Sequence, residues 1–203
     1  MIRLLCPSDA EHAAWVIRHA FATLTPALDP PPSALGIGGH TVAVHIASGG
    51  GGALADQVGC LLWLQRDDSF HLSRLAVLPR ARGHGLASAL LAYAEAVARA
   101  AGAAQLRLEV RLALADNRRL FRRAGFGEGE RRSHPGCQQP TYVLAKKRLQ
   151  PIDRPCDCSG GFVGARHAWD HRTGLVRSIL PAYVSSDVDR RDRRRVDGPQ
   201  RRR

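Results

Sequence analysis

The sequence predicts an α/β chain with one mixed, mostly antiparallel sheet and helices on both of its faces. Three observations carry that prediction. Apolar residues recur at every second position in Val58-Cys60-Leu62-Leu64 and in Leu106-Leu108-Val110, the period of a strand with one buried face. They recur at helical spacing in Ala13, Val16, Ile17 and Ala20, and again through the alanine- and leucine-rich stretch from Leu86 to Ala101. Between the central strands, Arg66-Asp67-Asp68-Ser69 has the composition of a hairpin turn, which joins antiparallel neighbours.

In chain order, Ile2 to Leu5 reads as a first strand. Ser8-Asp9-Ala10-Glu11 is a capping-box pattern behind a proline and opens a helix that runs to about Phe21. Pro26 to Pro32 breaks regular structure, and a loop leads to a helix across His40–Ala47. Gly49 to Gly52 reads as a turn, followed by strands at Ala53–Ala55, Gln57–Gln65 and Phe70–Leu78, the last stopped by Pro79. A helix from Leu86 ends at Gly102, a residue suited to the left-handed position after a helix. A strand through Leu106, Leu108 and Val110, a helix over Ala115–Ala124 closed by Gly125, and a last strand at Thr141–Ala145 complete the order.

Composition bounds the organisation. A chain of 203 residues with 44% hydrophobic content supports one core domain, placed at residues 1–149. Residues 150–203 differ in kind. Beyond 150 they lack lysine and glutamate, show little apolar periodicity, and end in arginine runs at Arg190–Arg195 and Arg201–Arg203. Such a segment reads as a disordered tail, and its skewed composition also suits an extension translated in a shifted frame. Cys156, Cys158, His167 and His171 within it have residue types that bind zinc, but their spacing is tighter than a zinc finger, so no metal site is assigned. Five cysteines without framework spacing read as reduced thiols, with Cys60 a small core residue. No segment has the length and apolarity of a membrane span or a secretory leader, so the expectation is a soluble, cytoplasmic protein with no membrane partner. Of the net charge of +12, residues 1–150 carry +7, from 18 Lys and Arg against 11 Asp and Glu, and the tail carries the remaining +5. Nucleic acid is a weak candidate partner on charge alone.

The chemistry concentrates at Arg80-Ala81-Arg82-Gly83-His84-Gly85-Leu86-Ala87, between a strand and a helix start. The first N–H groups of a helix have no partner within it, and the aligned peptide dipoles place partial positive charge there. Glycines at 83 and 85 let the main chain approach a diphosphate, and Arg80 and Arg82 add full charge. Neither a Walker loop nor a dinucleotide fingerprint fits, since no lysine is near and Ser88 stands where a third glycine belongs. The spacing that does fit is Arg-x-x-Gly-x-Ala, at Arg82, Gly85 and Ala87.

That segment resembles the pyrophosphate-binding signature of the GCN5-related N-acetyltransferases (GNAT family). A second signature of the family is resembled by Asn117-Arg118-Arg119-Leu120-Phe121-Arg122-Arg123-Ala124-Gly125-Phe126-Gly127, about thirty residues on. The order of elements over residues 1–149 fits as well. The resemblance implies a GNAT-like acyl-CoA N-acyltransferase fold. It also implies transfer of an acetyl group from acetyl-CoA, as co-substrate, to an amine by direct attack in a ternary complex. By the same resemblance, main-chain groups of Leu75, Ala76 and Val77 pair with pantetheine, and the Val77 N–H is the oxyanion donor. Arg82, Gly83, His84, Gly85, Leu86 and Ala87 hold the diphosphate, while Asn117 and Phe121 contact the cofactor. Asn117 also reads as an ordinary helix-start residue.

The acid–base side departs from the family pattern. The tyrosine that protonates the leaving thiolate in many members is replaced by Phe121, and the glutamate common on the fourth strand has no counterpart. His71 and Glu109 are the candidate bases; a solvated strand histidine and a cross-strand partner for an arginine are their ordinary readings. A CoA-binding protein with little catalysis and a nucleic-acid-associated module acting through the basic tail are the alternatives. The acceptor amine is not specified: Pro26–Gly39 and His134–Pro140 would shape its pocket but read first as turns. Homodimers are common among proteins of this resemblance.

Overall fold

A computed structural model describes residues 1–150. The tail reading and the Cys156, Cys158, His167, His171 constellation lie outside the described residues. Seven strands form one sheet in the order β1-β2-β3-β4-β5-β7-β6. They are β1 (Ile2–Leu4), β2 (Gly51–Ala55), β3 (Gly59–Arg66), β4 (Ser69–Val77), β5 (Gln105–Arg111), β6 (Gly127–Arg132) and β7 (Tyr142–Arg148). Every neighbouring pair is antiparallel except β4 and β5. Helices α1 (Ala10–Phe21) and α2 (Gly39–Ala47) precede β2, α3 (Leu86–Ala100) joins β4 to β5, and α4 (Ala115–Arg123) joins β5 to β6.

The two faces of the sheet carry separate cores. On one, Leu90, Leu91, Ala94 and Ala98 of α3 and Phe121 of α4 pack on Leu61, Trp63, Phe70, Leu72, Leu106, Leu108 and Val143. On the other, Ala13, Ala14, Val16, Ile17 and Ala20 of α1 and Val42 of α2 pack on Leu54, Cys60, Leu62, Ala76 and Leu78. Each fully buried leucine or isoleucine contributes about 1.5–3 kcal/mol. Burial pushes the Cys60 thiol up to about 12, which makes it an inert core residue. The second core stops at β4. On that side β5, β7 and β6 are not covered by a helix, and this is what positions the site.

Several sequence expectations need correction. Alternation in the third strand is not one-sided: Cys60, Leu61, Leu62 and Trp63 are all buried, because helices cover both faces of β3. The cap ahead of α1 sits earlier than Ser8 and Glu11; the Asp9 carboxylate accepts the Cys6 N–H at 2.8 Å and is held by Arg3 at 2.6 and 2.7 Å. Gly51 and Gly52 belong to β2, and the last strand extends to Arg148. Strand β6 was not expected: all six of its residues are exposed, so no apolar pattern marks it. The ends of α3 and α4 behave as read. Past Ala100, the Gly102 N–H donates to Arg99 O and the Ala103 N–H to Ala98 O, the paired bonds of a glycine-closed helix end.

Candidate active site

The site begins with a break in the sheet. Strands β4 and β5 pair only over Ser69–His71 and Gln105–Arg107; beyond that each continues without the other, to Val77 and Arg111. The divergence starts at a bulge, where the β3–β4 register shifts between Cys60 and Leu62 so that Arg74 and Leu75 together oppose Leu61. A bulge bends and twists its strand, here away from β5. Arg74 adopts φ +54°, a left-handed conformation that costs a non-glycine residue roughly 1–2 kcal/mol. Its guanidinium is half-buried and donates to Ser33 Oγ at 2.9 Å; burial holds its pKa below the ordinary arginine value.

Two clefts meet in the opening. The first, of about 800 Å³, is lined by Leu75, Ala76, Val77, Arg82, Gly83, Gly85, Leu86, Ala87, Asn117 and Phe121. It therefore gathers every predicted cofactor-binding residue except His84, which is exposed outside it. Gly85 caps α3 in the left-handed region at φ +78°, Gly83 has φ +81°, and no side chain caps the helix. The first turn of α3 has no acidic residue, so its N–H groups and partial positive charge face the cleft unneutralised.

Arg82 does something the motif did not reveal. Its Nε donates to Val77 O at 3.0 Å, and its Nη2 donates to Ala20 O at 2.9 Å and Thr23 Oγ1 at 2.8 Å. The side chain thus pins the end of β4 to the end of α1, leaving Nη1 for a ligand. The bond also fixes an orientation. Leu78 N–H pairs with the O of Val58, the residue just before β3, so by ladder alternation the main-chain groups of Val77 point to the open edge. The Val77 N–H therefore faces the cleft.

The second cleft, of about 850 Å³, lies over the polar face of β5 and β7. Phe70, Leu72, Leu106, Leu108, Val143 and Ala145 turn into the α3 core, which puts His71, Arg107, Glu109, Arg111, Tyr142, Leu144 and Lys146 on the opposite face, lining this cleft. The Pro31–Ser33 loop forms its far wall. Arg111 holds that loop through Nη2, which donates to Asp29 O at 2.6 Å and Pro30 O at 2.9 Å. Its Nη1 lies 3.2 Å from His134 Nε2. Because an arginine only donates, His134 Nε2 accepts and the proton sits on Nδ1, directed at Thr141 Oγ1. Burial and then Arg111 hold the His134 pKa below its ordinary value.

The predicted catalytic groups divide between the clefts. His71 and Glu109 line the second and Val77 the first, with Leu75, Asn117 and Phe121 shared. His71 is half-buried; burial first, then Arg107 and Arg66, depress its pKa, so it is neutral near pH 7. It lies six residues from Val77, roughly 20 Å along the strand at about 3.3 Å per residue. Glu109 is two steps further along the parallel neighbour from Arg107, which pairs with His71, and so stands nearer the junction. None of the ion pairs among the described residues uses Glu109, although its charge, after the hydrogen bond from Glu130, helps to raise the pKa of Arg132. Asn117 lies in the first turn of α4 beside Asp116, as its helix-start reading has it, though the cap position itself is Leu114, with no side-chain bond. Phe121 is buried, edge-on to Phe126 at 6.0 Å, and forms the wall between the clefts. His134 belongs to a loop expected to shape the pocket, but its bond to Arg111, the Arg111 anchor and Tyr142 were not expected, because nothing local marks them. Among the described residues no cluster of His, Cys, Asp and Glu suits a metal ion, and no helix is long and apolar enough to cross a membrane.

Residues 42–126 match the model of the acetyltransferase (GNAT) family. The fold is similar to ribosomal-protein-alanine N-acetyltransferase from Brucella melitensis, with TM-score 0.58, 20% identity, and coverage of 73% of this chain and 99% of that one. It is also similar to the PaiA N-acetyltransferase from Thermoplasma acidophilum in complex with coenzyme A (TM-score 0.56, 18% identity, 73% and 99% covered). A GNAT-family acetyltransferase from Streptococcus pneumoniae is a third likeness (TM-score 0.55, 21% identity, 74% and 99% covered). No curated protein matches the chain in sequence.

Proposed function

We propose that residues 1–149, of which 42–126 match the acetyltransferase (GNAT) family model, act as one unit transferring an acetyl group from acetyl-CoA to an amine within a ternary complex. The observation that carries this reading is the convergence of the uncapped α3 N-terminus, the open edge of β4 and Asn117 on one cleft, which meets a second cleft at Phe121. The residues fit the co-substrate. The Gly83–Ala87 turn offers main-chain N–H groups to a diphosphate, with Arg82 Nη1 as an added cation. The edge of β4 offers pantetheine a strand to pair with, and the Val77 N–H is directed at charge that grows on a thioester oxygen.

The amine enters over β5 and β7. An alkylammonium has a pKa of about 10.4 and must lose a proton before it attacks. Glu109 takes that proton, being the candidate base nearer the junction. Neutral His71, further from the junction, passes it on through water. Nitrogen then bonds to the acetyl carbon, gives up its second proton to solvent, and the C–S bond breaks with CoA leaving as thiolate. Phe121 has no proton to give, so solvent protonates the sulfur. That feature also favours a second reading, in which the chain binds CoA and turns over little.

Calorimetric titration of acetyl-CoA into the full chain, followed by amine-dependent release of CoA thiol, tests the proposal. Binding with turnover supports it, and binding without turnover supports the second reading. A folded chain that does not bind overturns both. Replacing Glu109 with glutamine is expected to lower kcat about 100-fold, the scale of a lost general base. An unchanged rate would remove Glu109 from that role.

A further inference from the structure

The strand register puts like charges side by side on the floor of the second cleft. His71 on β4 pairs with Arg107 on β5, and Arg107 pairs with Lys146 on β7, so two cations and a neutral imidazole stand in one row across three strands. Cross-strand neighbours are roughly 5 Å apart, and like charges placed so are destabilising. Some cations of the described residues find carboxylates, as Arg3 does with Asp9, Arg118 with Glu128, and Lys147 and Arg99 with Glu95, while others stand singly on the surface. What distinguishes Arg107 and Lys146 is that the register sets them side by side within a cleft. Neither Arg107 nor Lys146 enters an ion pair, although Glu109 stands two residues away on the same face. Arg74, half-buried in the same cleft in a strained conformation, has a hydroxyl rather than a carboxylate as partner. Unpaired cations held together in a cleft are the signature of an anionic ligand.

We propose that the acceptor is a small amine carrying an anionic group, and that Arg107 and Lys146 bind this group while the amine points to the junction. The inference rests on the acetyltransferase reading for what the second cleft holds. It implies discrimination: a polyamine would meet repulsion on this floor, and an ω-amino carboxylate or phosphonate would meet attraction. The cleft volume of about 850 Å³ suits a small molecule.

The test uses unreactive product mimics, so it does not depend on turnover. An ω-acetamido carboxylate, its phosphonate analogue, its primary amide and the matching ω-acetamido amine, all of one chain length, are titrated into the full chain with and without CoA. The anionic mimics are expected to bind at least about tenfold tighter than the amide, as charge-assisted hydrogen bonds would give. The amine should be weakest, and the phosphonate arm tells which anion is preferred. In a double variant, Arg107→Gln with Lys146→Gln, the preference should vanish; both side chains are exposed, so the fold should persist. A charge-keeping variant, Arg107→Lys with Lys146→Arg, should retain it. Equal binding of all four mimics, or a preference that survives the glutamine variant, overturns the inference. Failure of acetyl-CoA to bind would instead strike the underlying reading, and the two failures are read in separate titrations.

Discussion

The two clefts that meet at Phe121 are made of different material. The first is built from main chain: an uncapped helix start, an unpaired strand edge and two glycines in the left-handed region. The second is built from side chains that several strands and loops bring together, among them His71, Arg107, Glu109, Arg111, His134 and Tyr142. Main-chain chemistry is the same in every protein of one fold, so a backbone cleft suits a ligand common to a whole family. Side-chain chemistry is specific to this chain, so on the proposed reading the second cleft is where an acceptor would be chosen.

The most damaging change to this division should be at the shared wall. Phe121 is the buried residue of α4, and Phe121→Ala should cost about 3–5 kcal/mol of stability, measured by urea unfolding, and weaken both clefts together. A variant that keeps its stability would mean the wall is not a packing element. Phe121→Tyr keeps the ring and adds a proton donor at the junction. If protonation of the thiolate limits turnover, kcat should rise about tenfold or more, within the scale of general acid catalysis; an unchanged kcat would show that another step limits.

Arg111→Ala tests whether the clefts are independent. Loss of its bonds to Asp29 O and Pro30 O frees the loop that walls the second cleft. The acceptor KM should rise about tenfold, as loss of a charged hydrogen bond would give, with acetyl-CoA affinity unchanged. Equal losses for both ligands would merge the two clefts into one cooperative site.

The smallest effect concerns pH. His71 and His134 both have folded-state pKa values held below the unfolded value of about 6.5. The folded chain therefore binds fewer protons than the unfolded chain in this range. The stability they contribute is present above that pH and is lost as pH falls through the folded values. The melting temperature should decline from pH 7 to pH 5, and His134→Gln should flatten the slope. A melting temperature that rises on acidification would contradict the burial of these imidazoles.

Legibility from sequence follows the same division. The glycine turn, the helix after it and the alternation of Leu106, Leu108 and Val110 are local patterns, and the structure reproduces them. The exposed strand Gly127–Arg132 is held only by pairing with β7, so it carries no apolar signal. The Arg111–His134–Thr141 chain and the basic row depend on strand order and register, which no short segment specifies. Even Arg82, at the centre of the motif, has a clamping role that becomes visible only when α1 is in place.

The central claim is that the start of α3 holds the diphosphate through its main chain, and one substitution separates that from stability. Ser88 lies in the first turn of α3 and lines the cofactor cleft. An acidic residue there complements the helix dipole by about 0.3–1 kcal/mol but repels a bound anion. Calorimetric titration of acetyl-CoA into the Ser88→Asp variant, beside its melting curve, is the direct test. The melting temperature should be equal to or above that of the unmodified chain, while affinity falls about tenfold or more, since one negative charge is brought close to the diphosphate. An affinity equal to that of the unmodified chain would contradict the cradle.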